Sequence, residues 1–467
     1  MRGLAAGCLV GSLAVFVFSA VASGHPLEPV PPGHWAYRAL YHLAAAGLIP
    51  TQRLSSQPLT RGAVRALTLE ARERADTMAV SPGTRDLLDA LVAGFAGGER
   101  PASRTLRLRL GDRRGSSASA GWSTGTETWV IGVEGSVFEG SAAVSRAYGR
   151  YERGRLALQA GRDVLWWGSS SRSTLFLSDE AGSLDSLWLA VGWRSVALTK
   201  FVAPLSLEVG RYLIGSRLDW QASPGLRIGF TELVVARPSG MMAFWMLNPL
   251  PVVLSDLLDP IRVRRWFGIP DVENPLGGVD FDWRLRPGVV LSGQVLVDDL
   301  SATFPPRAGA QLGLFFADPF HTGRTSLRLE YTAVANWTYT DMSGYDNHFL
   351  WNGRPLGFWL GNDSDDLFLE LSHVLDAGRS VGGWLAQTRR GEGRIGTQWT
   401  TADAAWVRWW LSGVVETRRA AGIYYEWRWF DGWARLLTEV GTIDNQGHAA
   451  GVQGWDTRLG VHWSHSW

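Results

Sequence analysis

From Arg104 onward, apolar and polar residues alternate with a period of two. Leu106, Leu108 and Leu110 alternate with Arg107 and Arg109. Val279, Phe281, Trp283 and Leu285 alternate with Asp280, Asp282, Arg284 and Arg286. The longest run sets Leu327, Leu329, Tyr331, Ala333, Ala335, Trp337 and Tyr339 against Arg328, Glu330, Thr332, Val334, Asn336, Thr338 and Thr340. Ile423, Tyr425, Trp427 and Trp429 stand against Tyr424, Glu426, Arg428 and Phe430. This pattern predicts strands with one apolar and one polar face. Before residue 100 the period is helical. Ala36, Leu40 and Leu43 share a face of a segment from His34 to Ala46 that Gly47 stops. Thr60 caps a second helix carrying Val64, Leu67 and Ala71. Ser81-Pro82 opens a third, with Leu87, Leu88, Leu91, Val92 and Phe95, before Gly97-Gly98. Three helices in so short a stretch are near the lower limit for independent folding, so the unit is expected to lean on the strand region C-terminal to it.

Alternation serves two architectures. A soluble sandwich turns its apolar face inward, whereas a membrane barrel turns it to lipid and encloses the charges in a wet lumen. Three features favour the barrel. Aromatic residues (Trp129, Trp337, Tyr339, Trp427, Trp429) fall near strand ends, as interfacial girdles require. Many runs reach ten residues or so, the length of a tilted membrane strand. The chain also ends in a strand, Leu459 to Trp467, and a barrel closes only if its last strand pairs with its first. A terminal aromatic resembles the sorting signal of outer-membrane barrels, although His465 departs from its apolar pattern. About 20 residues per strand and turn over the remaining chain gives roughly 18 strands, an even number.

Composition narrows the class further. The 55 glycines suit turns and barrel corners, and the 25 tryptophans suit a lipid–water boundary. Arg2, the apolar stretch Leu4 to Val21 and Ala20-Val21-Ala22 read as a cleavable secretory signal over residues 1–24, rather than an N-terminal anchor. After Val21 no apolar stretch is long enough for a transmembrane helix. Cys8 is the only cysteine, so disulfides, thiolate metal sites and cysteine nucleophiles are excluded beyond the signal. A net charge of +1 gives no reason to invoke nucleic acid. The expected organisation is a signal at 1–24, a helical periplasmic module at 25–100 and an all-β antiparallel transmembrane barrel at 101–467.

Several segments resemble the Wzi family of capsule-assembly outer-membrane proteins. Gly161-Arg162 through Trp166-Trp167-Gly168 leads into a Ser-rich stretch and Leu175-Phe176-Leu177-Ser178. Phe230 and Phe244 to Leu250, ending Leu247-Asn248-Pro249-Leu250, match a second element. Gln294 to Asp299 matches a strand ending in a double aspartate. Leu329-Glu330-Tyr331-Thr332, Trp337 to Thr340, Pro355-Leu356-Gly357 and Leu360 to Asp365 complete the order. Ser169 departs from the family's usual proline. The resemblance implies a fold of roughly eighteen strands and a role in attaching capsule or similar glycan to the cell surface. His34-Trp35-Ala36-Tyr37, Ala46-Gly47-Leu48-Ile49 and Leu59-Thr60-Arg61 are similar to one S-layer-homology module, which implies either a periplasmic plug or a tether to peptidoglycan or another cell-wall polymer.

Sugars are held by aromatic faces and by charged planar groups, and acidic sugars by arginine. The candidate polysaccharide-binding residues on the polar face are Arg284, Arg286, Arg328, Glu330, Glu426 and Arg428, each of which equally well pairs with a neighbouring strand. Asp298-Asp299 either binds a cation or sugar or marks a strand's exit from the membrane. Two long loops complete the set. Arg237 to Gly278 carries Trp266, and Asp341 to Asp366 carries Trp351 and Arg354. Interior charges of both signs argue against a simple ion-selective pore. No His spacing for metal, no Gly-x-Ser-x-Gly elbow and no defined carboxylate pair appears, so neither catalysis nor a cofactor is expected. The partners expected are capsular or extracellular polysaccharide and outer-membrane lipid. A porin or sugar channel and a wall tether are the competing functions.

Overall fold

The computed structural model describes residues 24–467 except 52–53, 96–100, 113–114, 139–140, 238–272, 300–305, 343, 345, 398–407 and 431. The signal segment therefore lies outside the described residues. Three helices come first: α1 (Trp35–Ala46), α2 (Arg61–Ala75) and α3 (Pro82–Phe95). Their ends form as the sequence dictates. Thr60 accepts from Ala63 N, Ser81 Oγ accepts from Thr84 N, and Gly47 takes the left-handed conformation that ends α1. His34 is itself the cap of α1, its ring accepting from Ala36 N. Leu40, Leu43, Val64, Leu67, Leu88 and Leu91 fill the core between the helices.

Eighteen strands then form one closed antiparallel barrel. They are β1 (Ala102–Asp112), β2 (Gly115–Gly125), β3 (Trp129–Phe138), β4 (Ser141–Arg153), β5 (Leu156–Asp163), β6 (Leu184–Gly192), β7 (Val196–Ser206), β8 (Arg211–Ser223) and β9 (Leu226–Ala236). The second half comprises β10 (Glu273–Arg286), β11 (Val289–Asp299), β12 (Arg307–Phe316), β13 (Thr325–Val334), β14 (Ser364–Asp376), β15 (Arg379–Arg390), β16 (Glu416–Trp429), β17 (Gly432–Asp444) and β18 (Gln453–Ser466). Each strand pairs with its sequence neighbours, and β18 closes on β1 from Thr105↔Ser466 to Leu110↔Val461. Trp467 and Arg104 exchange both backbone hydrogen bonds, each 2.9 Å, so the final residue seals the seam.

The outer surface is apolar. Ile131, Val133, Phe230, Val279, Val295, Leu312, Leu385 and Ile423 are all exposed. The connections at the end that holds both chain termini are short, and the long ones lie opposite, which orients the barrel with that end periplasmic. Trp122, Trp129, Tyr151, Trp220, Trp283 and Trp427 form an exposed aromatic belt near the short-turn end.

Three expectations change. The run through Tyr339 does not continue as strand: β13 stops at Val334, and the chain turns inward. Trp337 and Tyr339 adopt positive φ and are buried in the lumen, so they belong to no girdle. Residues 273–278 belong to β10, not to a loop. The rest of the predicted loop from Arg237, with Trp266, lies outside the described residues. The interior is also not uniformly wet. On the extracellular half of β7 to β11, the inward residues Phe201, Ala203, Leu213, Leu233, Leu276 and Leu296 form a dry core. It is filled by Trp167, Leu175, Phe176, Tyr339, Phe349 and Phe358 from segments folded into the barrel.

Candidate functional site

The helical module closes on the periplasmic rim through residues from both parts. Gly288 N donates to Ala45 O, and Gly83 N donates to Gly323 O. Arg324 pairs with Asp86. Arg284 Nη1 donates to Ala44 O at 2.9 Å. Glu426, 1% exposed, receives Arg38 of α1 together with the barrel's own Arg428 and Arg435. Arg428 also lies over the Trp35 ring, and Arg328 lies over Tyr41. Four of the sequence candidates, Arg284, Arg328, Glu426 and Arg428, thus touch the module. Glu330 accepts from Ser170 Oγ, from Ser171 N and Oγ, and from Arg328, fixing the Ser-rich segment inside the barrel.

Asp298 accepts from Tyr339 N at 2.7 Å and holds the inward turn after β13. Asp299 pairs through its backbone with Arg307. Arg286 is exposed beside the turn into β11. Trp351 and Arg354 face each other in a small hairpin over the lumen, where Trp351 packs on the dry core and Arg354 is exposed. The candidates therefore do not converge on one point.

Two inward elements meet at mid-barrel. Ser56–Gln57, between α1 and α2, pairs antiparallel with Trp166–Trp167, between β5 and β6. Beneath them lies a charge cluster that the sequence did not single out as a unit. Arg217 Nη1 reaches Asp280 Oδ1 at 2.8 Å, and its Nη2 reaches Asp219 Oδ1 at 2.9 Å. Arg227 Nη1 reaches Asp219 at 3.0 Å, and Arg227 also pairs with Asp280 and Asp282. Ser169 donates to Asp282 Oδ2 at 2.7 Å, and Ser56 donates to Asp219 Oδ2 at 2.8 Å. Alternation had already put Asp280 and Asp282 on the polar face, and Ser169, where the family usually has proline, supplies a hydroxyl that a proline lacks. The guanidinium groups of Arg217 and Arg227 are fully buried and matched by carboxylates, as buried charges must be. The cluster pins the inward loop to the wall.

Between the module, this pinned loop and the wall of β14 to β18 and β1 lies a chamber of about 550 Å³. Its lining includes Arg107 and Arg109 of β1, Trp384 of β15, Arg418 of β16, Glu439 of β17, and Asp456 and Arg458 of β18. Glu439 accepts from Trp384 Nε1 at 2.9 Å and Arg418 Nη2 at 2.7 Å, and Arg458 lies 3.3 Å away. None of Trp384, Arg418, Glu439 or Arg458 was singled out from sequence. Their signal was available in the inward parity of β15 to β18, had it been followed strand by strand.

The family model for the capsule assembly protein Wzi matches residues 111–456. The chain belongs to the Wzi family. Among solved structures, the Escherichia coli Wzi, described as an outer-membrane protein involved in group 1 capsule assembly and a carbohydrate-binding β-barrel, is 15% identical with a TM-score of 0.67. The match covers 95% of this chain and 99% of that one. OprD of Pseudomonas aeruginosa is 11% identical, with a TM-score of 0.43 over 78% of this chain and 92% of its own. OmpT of Vibrio cholerae is 8% identical, with a TM-score of 0.35 over 78% and 96%. No curated protein matches. As a Wzi-family member with a closed eighteen-strand barrel, the chain is an outer-membrane capsule-assembly protein.

Proposed function

We propose that this Wzi-family barrel acts without catalysis, binding a capsular or extracellular polysaccharide and holding it at the cell surface. The observation that carries the reading is the filling of the lumen. The module occupies the periplasmic rim, and inward loops occupy the extracellular half, leaving a chamber lined with arginine and tryptophan. Such groups suit hydroxyl-rich, acidic polymers. The wall-tether reading gains nothing from the module, because its resembling landmarks are consumed by packing: Trp35 is 5% exposed under Arg428, and Leu48 and Ile49 are buried completely. A plug is the reading the docked module supports, and the same docking disfavours a porin. Deleting the gene is expected to leave polymer synthesis intact while shedding polymer into the medium. Unchanged cell-associated polymer after deletion sinks the proposal. A large steady conductance in planar bilayers favours the channel instead.

A further inference from the structure

We propose that the luminal chamber is itself a saccharide site, taking a short carboxylate-bearing oligosaccharide or the end of an acidic polymer chain. Trp384 serves as its stacking platform and Arg109 as its carboxylate partner. This deepens the function proposed above and rests on it.

The chamber's volume falls within the usual range of small-molecule sites. Among the polar atoms of its buried lining residues that have no hydrogen-bond partner are Nε1 of Trp166, Nε1 of Trp433 and Oδ1 of Asp282. Two are pure donors and one is an acceptor, and leaving such groups unmet is costly. A hydroxyl both donates and accepts, so a polyhydroxyl ligand satisfies this mixed set where an apolar ligand leaves every member unmet.

The aromatic wall is built from reciprocal pairs across β15 and β16. Trp384 lies on Gly422 and Tyr424 lies on Gly382, with ring atoms 2.1 and 2.6 Å from where each glycine's Cβ would stand. Tyr424 is covered on its chamber side by Arg435, 4.6 Å from its centroid. Trp384 has its polar edge tied to Glu439, and its ring is only half-buried. That flat, fixed, partly open indole is what a sugar's C–H face requires.

Charge sets the ligand's sign. Eight arginines and five carboxylates line the chamber. Arg418 and Arg458 are matched by Glu439 and Asp456. Arg109 lines the same wall beside His462 and makes no hydrogen bond or ion pair among the described residues. A half-buried guanidinium with no partner is suited to a carboxylate from outside.

The chamber is also reachable. The β1–β2 hairpin turns after Asp112, whereas β18 climbs to Gln453, and β1 pairs it only as far as Val461. The outer part of β18, from Gln453 to Gly460, has no β1 partner on that side. Gly111 at the hairpin tip and Asp456 on β18 both line the chamber, so it extends to this low rim.

The test is calorimetric titration of the full-length protein in detergent with tetragalacturonate and, in parallel, with neutral maltotetraose. The acidic tetramer is expected to bind at least tenfold more tightly than the neutral one. Arg109→Gln, which breaks no internal contact, is expected to weaken the acidic tetramer at least tenfold and to leave heat-modifiable gel migration unchanged. Trp384→Phe, a second variant, is expected to weaken both tetramers. Failure of tetragalacturonate to bind, or affinity unchanged in both variants, overturns the chamber assignment. The binding function itself is judged separately by polymer shedding on deletion, so the two failures are distinguishable.

Discussion

Removing Glu426 should release the helical module far more than removing the arginine it receives from that module. Its carboxylate is 1% exposed and is shared by Arg38 of α1, by Arg428 at 3.3 Å and by Arg435 at 2.9 Å. In Glu426→Ala the contact changes sign, because Arg38 is left facing two barrel arginines with nothing between them. Breaking a buried pair from one side costs about 3–5 kcal/mol. The side chains of Arg38 and Arg435 are 28% and 18% exposed, and water relieves part of that, which places the loss near the low end, about 3 kcal/mol. At about 1.4 kcal/mol per decade, the docked-to-released ratio falls roughly a hundredfold. In Arg38→Ala the carboxylate keeps two partners, and the loss is that of one charged hydrogen bond, about 1.5 kcal/mol or roughly tenfold. The double variant should be no worse than Glu426→Ala alone, since the repelled arginine has gone. Tryptic cleavage within residues 61–75 in the outer-membrane-inserted protein reads the released fraction, and planar-bilayer openings read the unplugged lumen. Arg38→Ala releasing the module as readily as Glu426→Ala refutes the reasoning.

Other perturbations act on the same contacts. His42 is fully buried beside Thr84 and Phe315, and burial lowers its pKa from 6.5 to about 4. A solvent-exposed ring takes up that proton below pH 6.5 while the buried one refuses it until about pH 4, so the folded, docked module loses stability as pH falls through that window, by at most about 3 kcal/mol at 1.36 kcal/mol per pH unit, of which docking carries the part due to the barrel's Phe315. Burial lowers His34 as well and adds in the same direction. His42→Gln should flatten the acid release of the module measured by proteolysis, and an unchanged pH profile counts against the assignment. Asp280→Asn removes one of three carboxylates from Arg217 and Arg227 and should cost about 3–5 kcal/mol, seen as a lower temperature for loss of heat-modifiable migration. Gly422→Val places a side chain where the Trp384 ring lies and should abolish tetragalacturonate binding while the barrel still folds. Truncating Trp467 removes both of its backbone bonds to Arg104 and should lower the yield of assembled barrel in the outer membrane.

The barrel was legible because one rule governs most of its wall. Lipid on one side and water on the other impose a period of two, and Val279 to Arg286 show it without exception. The three helices came from a period of their own, and the strand count from the remaining length at about 20 residues per strand and turn. What misled was the assumption that alternation implies a continued strand. Asn336 to Thr340 keep the pattern, yet positive φ at Trp337 and Tyr339 and the Asp298 bond to Tyr339 N turn the chain into the lumen. The reverse holds at Phe201-Val202-Ala203 and Leu233-Val234-Val235, where alternation is absent because both faces are apolar, one packed on inward loops. Of the candidate charges, Arg284, Arg328, Glu426 and Arg428 meet the module and Glu330 meets the Ser-rich segment, whereas Arg286 is exposed at a turn. Which of them touch the module, which pin the Ser-rich loop and which face open space depends on long-range approach, such as Arg38 meeting Glu426, and carries no periodic signal.

Long-range approach also governs how the inward charges are used. Where inward elements reach the wall, charges are matched closely: Arg217 and Arg227 against three aspartates below the loop, and Glu426 against Arg38 at the module. These pairs hold the inward elements that narrow the lumen among the described residues. On the part of β15 to β18 and β1 that lies beyond the module's contacts at Glu426, Arg428 and Trp433, matching loosens. Glu439 serves both Arg418 and Arg458, Arg109 makes no hydrogen bond or ion pair among the described residues, and the Trp384 ring is only half-buried. Side chains that only needed to fill a wet interior would pair at this wall as they do elsewhere. An arginine left over on the wall of a chamber that also holds a fixed indole, and that reaches the low rim at β1, is the arrangement expected if the missing partner arrives from outside the cell.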